Sequence, residues 1–159
     1  MAYLKFDSSQ LINLEYSLSK EIVRSNRAGS YCSTTLIFCN TRKYHGLLVS
    51  PVESLDGDRH VLLSSFDETI IERDTEFNLG IHKYQGDIYS PRGHKYVQDF
   101  LADPAPTLVY RVGGVEIMKE LVLVEKGEQL LIRYTVNKSD VKIKLRFRPF
   151  LAFRNMHGL

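Results

Sequence analysis

The chain contains no tryptophan, only two cysteines and no excess of charge of either sign. Its 21 basic and 19 acidic residues leave a formal net charge of +2, which does not favour binding to nucleic acid or to an anionic membrane. Apolar runs are no longer than a strand, such as LVLV at 121–124, so neither a membrane span nor an export signal is predicted. We therefore expect a cytoplasmic protein without a nucleic-acid or membrane partner.

The two cysteines, Cys32 and Cys39, form no Cys-x-x-Cys pair and have no histidine at zinc-ligand spacing beside them. Free cysteine packs as a small apolar residue, and reduced thiols are typical of the cytosol. We predict two reduced, largely buried thiols, with a disulfide between them as the minor alternative.

Recognisable catalytic and metal-binding motifs are also missing. The histidines at 45, 60, 82, 94 and 157 follow no metal-ligand spacing, and there is no H-E-x-x-H, acidic calcium loop or G-x-S-x-G. Asp67 and Glu68 are adjacent, so on a strand they point to opposite faces and cannot act on one substrate. We expect one of them to be solvated and the other to accept a nearby hydrogen bond. We therefore predict that this chain contains no catalytic residue and binds neither a metal ion nor a cofactor.

What the sequence does contain is a strand pattern, clearest in its second half. Residues 107–112 and 115–124 flank Gly113-Gly114, a pair suited to the positive φ angles of a primed hairpin turn. Further strands are predicted at 129–136 and 141–153, which would complete an antiparallel meander. Four apolar residues alternate with four cations over 141–148, so one face is apolar and the other is basic. We interpret the basic face as solvated, with a polyanion site as the alternative.

The first half shows the same kind of pattern less regularly. Candidate strands are residues 34–39, 44–50, 60–71, 77–83 and 96–101. Leucines three or four apart allow a helix within 9–23, but a pair of strands at 11–18 and 20–25 is favoured. Because a sheet with one solvated face must bury the other, we predict an all-β fold, an antiparallel two-layer β-sandwich formed by residues 1–159 as one domain.

A polar and aromatic cluster, NTRKYHG, precedes the apolar strand residues 47–49. It places the Arg42 guanidinium, the Tyr44 phenol and the His45 imidazole within four positions. Buried without partners, such groups would cost stability. The cluster therefore indicates either a polar network that holds a loop or a recognition surface. Gly46 would let the backbone bend or approach a neighbour closely.

These segments resemble the N-terminal domain of bacterial and archaeal glycogen debranching enzymes, over roughly residues 15–157. The resemblance rests on an ordered series of blocks: EIVRSN, AGSY, CNTRKYHGLLV, VLLSSFDET, YSPRG, DFLADPAPTLVY, Lys119-Glu120 and RPFLAFRNMH. The string NTRKYHGLL is the most specific of them.

The resemblance implies a glucoamylase-like β-sandwich preceding an (α/α) toroid with amylo-α-1,6-glucosidase activity on glycogen or a related α-glucan. Hydrolysis with inversion would use two carboxyl groups roughly 6.5–9.5 Å apart, located in the toroid, so this chain would be non-catalytic. The resemblance makes α-glucan and the C-terminal toroid the expected partners. It makes Asn40, Arg42, Tyr44 and His45 candidate contacts to glucan or to the neighbouring domain. A stand-alone glucan-binding module and a purely structural interaction domain are the alternatives.

The chain ends at Leu159, whereas the sandwich of the family that it resembles continues beyond the corresponding position. We therefore expect a truncated sandwich with an open sheet edge or an exposed apolar face. Such an edge can pair with another chain, so a homo-oligomer is one expected consequence.

Overall fold

The computed structural model describes residues 4–158. The strands are β1 (Lys5–Asp7), β2 (Glu21–Ser25), β3 (Tyr31–Thr35), β4 (Gly46–Pro51), β5 (Arg59–Glu72), β6 (Thr75–Asn78), β7 (His82–Tyr84), β8 (Ile88–Ser90), β9 (Val97–Leu101), β10 (Thr107–Val112), β11 (Val115–Leu123), β12 (Leu130–Lys138) and β13 (Ile143–Asn155). The helices are α1 (Ser8–Leu11), α2 (Leu14–Ser19) and one 3₁₀ turn, Gly93–Tyr96.

The strands form two antiparallel sheets that pack as a sandwich, which confirms the predicted fold class. One sheet has the order β1-β9-β10-β11-β12. The other has the order β13-β5-β4-β3-β2, with β6 beside β5. The small β7–β8 hairpin forms a separate ribbon. Consecutive strands are not always neighbours, so the topology depends on pairings between distant parts of the sequence.

The core lies between the two sheets. Phe100 and Leu108 come from the first sheet and Leu47 and Ile70 from the second, and each is at most 1% exposed. The thiols of Cys32 and Cys39 are free and buried, as predicted. Burial raises the pKa of Cys32 to about 12 and that of Cys39 to about 11, so both remain protonated at neutral pH.

The β10–β11 hairpin confirms the most regular sequence signal. Val112 pairs with Val115, so Gly113 and Gly114 form a two-residue turn. Of these two, only Gly113 has a positive φ, of 57°. A positive φ at the first central position alone is typical of a type II′ turn.

The predicted meander is wrong for its last strand. β13 leaves β12 and pairs with β5, with Arg148 opposite Asp67. The chain bends at residues 139–142, where the Ser139 hydroxyl donates to the Val141 carbonyl. Alternation along β13 correctly identified its solvated face, since the cations at 142, 144, 146 and 148 are all exposed. Alternation assigns side chains to a face but does not select a partner strand.

The predicted strand at 11–18 is also wrong, because α1 and α2 occupy this region. The Asp7 carboxylate accepts the Ser9 amide at 2.9 Å and caps α1. Asn13 Oδ1 accepts the Tyr16 amide at 3.0 Å and caps α2. Capping residues satisfy amides that have no partner within a helix, and these two residues carried the missed signal. The strand predicted at 20–25 is confirmed as β2.

Two other predicted strands are shorter than expected. The segment 77–83 is interrupted at Gly80, where an added Cβ would lie 2.5 Å from the Asp67 carboxylate. The segment 34–39 turns after Thr35, whose hydroxyl accepts the Cys39 amide at 3.1 Å. The Asp67 side chain packs against the backbone at Gly80, and the Thr35 side chain bonds the backbone at Cys39, so neither segment continues as a paired strand.

Candidate functional site

Residues 36–45 connect β3 to β4, and the second part of this connection, the 40–45 loop, contains all four predicted contact residues. It is closed by a tight turn in which the His45 amide donates to the Arg42 carbonyl at 3.1 Å. Gly46 follows at a close approach, since an added Cβ would lie 2.8 Å from Val49 Cγ2. This confirms the prediction that Gly46 permits close packing. The turn presents its tip to solvent and its base to the sandwich.

Asn40 and His45 hold the base of the loop. The Asn40 amide donates to the Ser64 carbonyl at 2.8 Å, and its Oδ1 accepts the Thr34 hydroxyl at 2.9 Å. His45 is only 2% exposed, and its Nδ1 accepts the Thr41 amide at 3.0 Å. The Asn40 side-chain amide and His45 Nδ1 are therefore hydrogen-bonded within the protein, which matches the network interpretation of the sequence cluster.

Glu21 on β2 connects Arg42 and His45. Its Oε1 lies 2.9 Å from Arg42 Nε. His45 Nε2 lies 3.3 Å from the same oxygen, without the angles of a hydrogen bond. The carboxylate therefore lies between both groups, and it holds the Arg42 guanidinium through Nε while most of that side chain remains in solvent.

Arg42 and Tyr44 form the exposed tip. The Arg42 side chain is 70% exposed and Tyr44 is 42% exposed. The Lys43 ammonium lies 4.9 Å from the Tyr44 ring centroid, a cation–π contact. The Tyr44 hydroxyl lies 3.3 Å from His157 Nδ1. The tip therefore combines an aromatic ring with donors and acceptors that face solvent.

The end of β13 and the residues after it support this tip from the side. Arg154 donates to the Lys43 carbonyl. The Tyr31 hydroxyl donates to the Tyr44 carbonyl at 3.0 Å. The His157 ring lies edge-on to Tyr44, with centroids 5.7 Å apart. Arg154, His157 and Glu21 were not among the residues predicted for the site. The sequence did carry a signal for them, because Glu21 lies in the block EIVRSN, and Arg154 and His157 lie in the block RPFLAFRNMH.

Asp67 and Glu68 point to opposite faces of β5, as predicted, but the expectation that one is solvated is wrong. Asp67 is 6% exposed and Glu68 is 2% exposed. Both Asp67 oxygens lie within 2.9 Å of His82 Nε2 on the outer face. Glu68 faces the interior, 2.7 Å from the Lys119 ammonium, and accepts a hydrogen bond from the Tyr134 hydroxyl. Each carboxylate is engaged by its own partner.

Two further observations apply to residues 4–158. This part of the chain brings together no group of three or more His, Cys, Asp or Glu side chains that could hold a metal ion. None of its helices has the length and apolarity needed to cross a bilayer.

The buried His45 predicts a pH dependence of stability. Burial lowers the pKa of His45, Arg42 acts in the same direction, and Glu21 opposes them. An imidazole with a lowered pKa contributes stability that is present above about pH 6.5 and lost as the pH falls through the folded-state value. Protonation would also place a hydrogen on Nδ1, against the Thr41 amide.

We therefore expect the unfolding free energy, measured by urea titration from pH 7.5 to 5, to fall less in His45→Asn than in the wild type. Asparagine keeps an acceptor for the Thr41 amide and does not titrate. His94, whose pKa burial also lowers, is present in both proteins and cancels in the comparison. Parallel pH profiles for the two proteins would contradict this role of His45.

The protein is an antiparallel β-sandwich. A polar loop at its surface is held by hydrogen bonds to the sandwich, and the two carboxylates on β5 are paired with Lys119 and His82. A family model described as glycogen debranching enzyme N terminal matches residues 20–159. The chain belongs to this glycogen debranching enzyme N-terminal family. Searches of curated proteins and of solved structures gave no significant match.

Proposed function

We propose that this chain is the non-catalytic N-terminal β-sandwich domain of a glycogen debranching enzyme, and that its 40–45 loop contacts α-glucan. In the full-length enzyme, a C-terminal (α/α) toroid would hydrolyse the α-1,6 branch linkages. The observation that carries the proposal is the exposure of Arg42 and Tyr44 on a loop whose base is fixed by Asn40 and His45.

The chemistry of this tip suits a sugar chain. The Arg42 guanidinium offers several donors to hydroxyl groups, and the Tyr44 ring offers an apolar face to a pyranose. The loop is already ordered by its hydrogen bonds, so little conformational entropy would be lost on binding. Asn40 and His45, although predicted as contacts, act in this proposal as supports for Arg42 and Tyr44.

A non-catalytic role is supported by the arrangement of acidic groups on β5. Asp67 and Glu68 lie on opposite faces, and each has a cationic or imidazole partner within 2.9 Å. An inverting glycosidase needs two carboxyl groups that face one substrate across a gap. The free thiols of Cys32 and Cys39 support a reducing, cytoplasmic setting.

A structural role in domain contact is the second candidate. It is favoured by the interaction of Glu21 with both Arg42 and His45, which suits a loop built for rigidity. In this case the tip would meet carbonyl groups of a neighbouring domain instead of sugar hydroxyls. Arg42→Ala would then lower the unfolding midpoint without changing glucan affinity.

Affinity electrophoresis in gels with and without glycogen tests the proposal. We expect glycogen to retard the wild-type chain, Tyr44→Ala and Arg42→Ala to lose most of this retardation, and both variants to keep the wild-type unfolding midpoint. Tyr84→Ala is the matched control, because Tyr84 is 54% exposed on β7. Wild-type mobility that glycogen leaves unchanged would favour the structural role.

A further inference from the structure

One carboxylate oxygen of Glu21 lies close to two donors, one exposed and one buried. Oε1 is 2.9 Å from Arg42 Nε, in a side chain that is 70% exposed. The same oxygen is 3.3 Å from His45 Nε2, in a side chain that is 2% exposed. The backbone of Glu21 is fixed at the start of β2 by pairing with Thr35. A change of partner therefore requires only a rotation of the Glu21 side chain.

The hydrogen bonding of His45 determines which ring nitrogen carries its proton. The Thr41 amide donates to Nδ1 at 3.0 Å, and a ring nitrogen that accepts such a bond carries no hydrogen. Burial lowers the pKa of His45, so the ring is neutral at pH 7 and its single N–H is at Nε2. His45 therefore presents a donor to the Glu21 carboxylate.

This buried donor lacks an acceptor while Glu21 is paired with Arg42. Among residues 4–158, His45 Nε2 has no hydrogen-bond partner, although Glu21 Oε1 lies near enough to become one. A buried donor without an acceptor destabilises a fold, whereas an exposed ion pair contributes little because water screens the charges. Rotation of the carboxylate toward His45 would therefore offset the loss of its contact with Arg42.

We propose that Glu21 is a positioning residue, which holds Arg42 in the free protein and transfers to His45 when Arg42 binds a ligand. The Glu21–His45 hydrogen bond replaces the ion pair that the ligand breaks. Arg42 then has Nε as well as both terminal nitrogens available to donate to sugar hydroxyls. The identity of the ligand, α-glucan, rests on the proposed function. The change of partner rests on the contacts of Glu21 and is testable without a ligand.

Proton NMR of the chain at pH 7.5, with nitrogen-15 in its histidines, tests the change of partner. We expect the His45 Nε2 proton, identified by its loss in His45→Asn, to move downfield in Arg42→Ala, because a hydrogen bond to a carboxylate deshields the proton. Combining Arg42→Ala with Glu21→Ala should abolish this shift. Arg27→Ala, which removes an exposed ion pair with Glu125, is the matched control and should leave the signal unchanged. No shift in Arg42→Ala, or an equal shift in the double variant, would overturn the proposal.

Titration of the wild-type chain with maltoheptaose, a linear α-glucan, distinguishes failure of this inference from failure of the proposed function. We expect the Tyr44 amide signal to shift as sugar binds, and the His45 Nε2 proton to move in the same direction as in Arg42→Ala. A shift of Tyr44 without one of His45 would show that Glu21 stays with Arg42, which contradicts the transfer. No shift of either signal would contradict glucan binding by the loop, and the Arg42→Ala spectrum would decide the role of Glu21 by itself.

Discussion

Replacing Lys119 with methionine will lower the free energy of unfolding by about 3–5 kcal/mol, because it leaves the Glu68 carboxylate buried without a cation. Both side chains are 2% exposed, and their charged atoms are 2.7 Å apart. The Lys119 ammonium also lies 4.8 Å from the Phe38 ring centroid and 3.3 Å from the Phe66 carbonyl. The pair joins β11 of one sheet to β5 of the other, so its loss weakens contact between the two layers.

Urea titration of the variant, with Arg133→Met as the matched control, measures this effect. The Arg133–Glu120 pair joins neighbouring strands at the surface, where water screens the charges, so its loss should be much smaller. Combining Lys119→Met with Glu68→Gln should recover most of the stability, since a neutral amide still accepts the Tyr134 hydroxyl. Equal losses in Lys119→Met and Arg133→Met would contradict the burial argument.

Replacing Gly93 with alanine will destabilise the outer face of the β5 sheet by about 1–3 kcal/mol or more, because no space exists for a Cβ. An atom added there would lie 2.1 Å from the Leu79 carbonyl carbon. The Gly93 amide donates to the Gly80 carbonyl at 2.9 Å, and Gly80 in turn packs against the Asp67 carboxylate. Displacing the backbone here disturbs the segment that covers Asp67.

The unfolding midpoint of Gly93→Ala, compared with that of Gly127→Ala, measures this effect. Gly127 is a suitable control because an added Cβ would meet Val124 at an ordinary 3.8 Å. We expect the control to unfold close to the wild type. A Gly93→Ala protein as stable as the control would show that the close approach is not essential to the fold.

The sequence predicted those parts of the fold that are determined locally. The Gly113-Gly114 turn and the alternation along β13 were sufficient to identify a hairpin and a solvated basic face. Neither feature could show that β13 pairs with β5, because that choice depends on residues about 80 positions away, as with Arg148 and Asp67. Asp7 and Asn13 cap the two helices, but the spacing of leucines, on which the prediction for this region depended, does not reveal caps.

The candidate site is local in sequence only in part. Arg42 and Tyr44 lie within one sequence cluster, so the sequence alone places them on one loop, where both side chains are exposed. Its supports, Glu21 and His157, lie on other strands or after them, and no local pattern connects them to the loop. Lys119 did carry a signal, because it takes an apolar position in the alternation of β11. A lysine at such a position indicates a buried partner, which is Glu68.

The most direct test of the proposed function is an assay of glucose release from a branched limit dextrin by the pure chain. We expect no release above a blank at any pH between 5 and 8, with or without a chelator, because Asp67 and Glu68 cannot face one substrate. Steady glucose release that persists in the chelator, and that is lost in Asp67→Asn or Glu68→Gln chains that still fold, would contradict it.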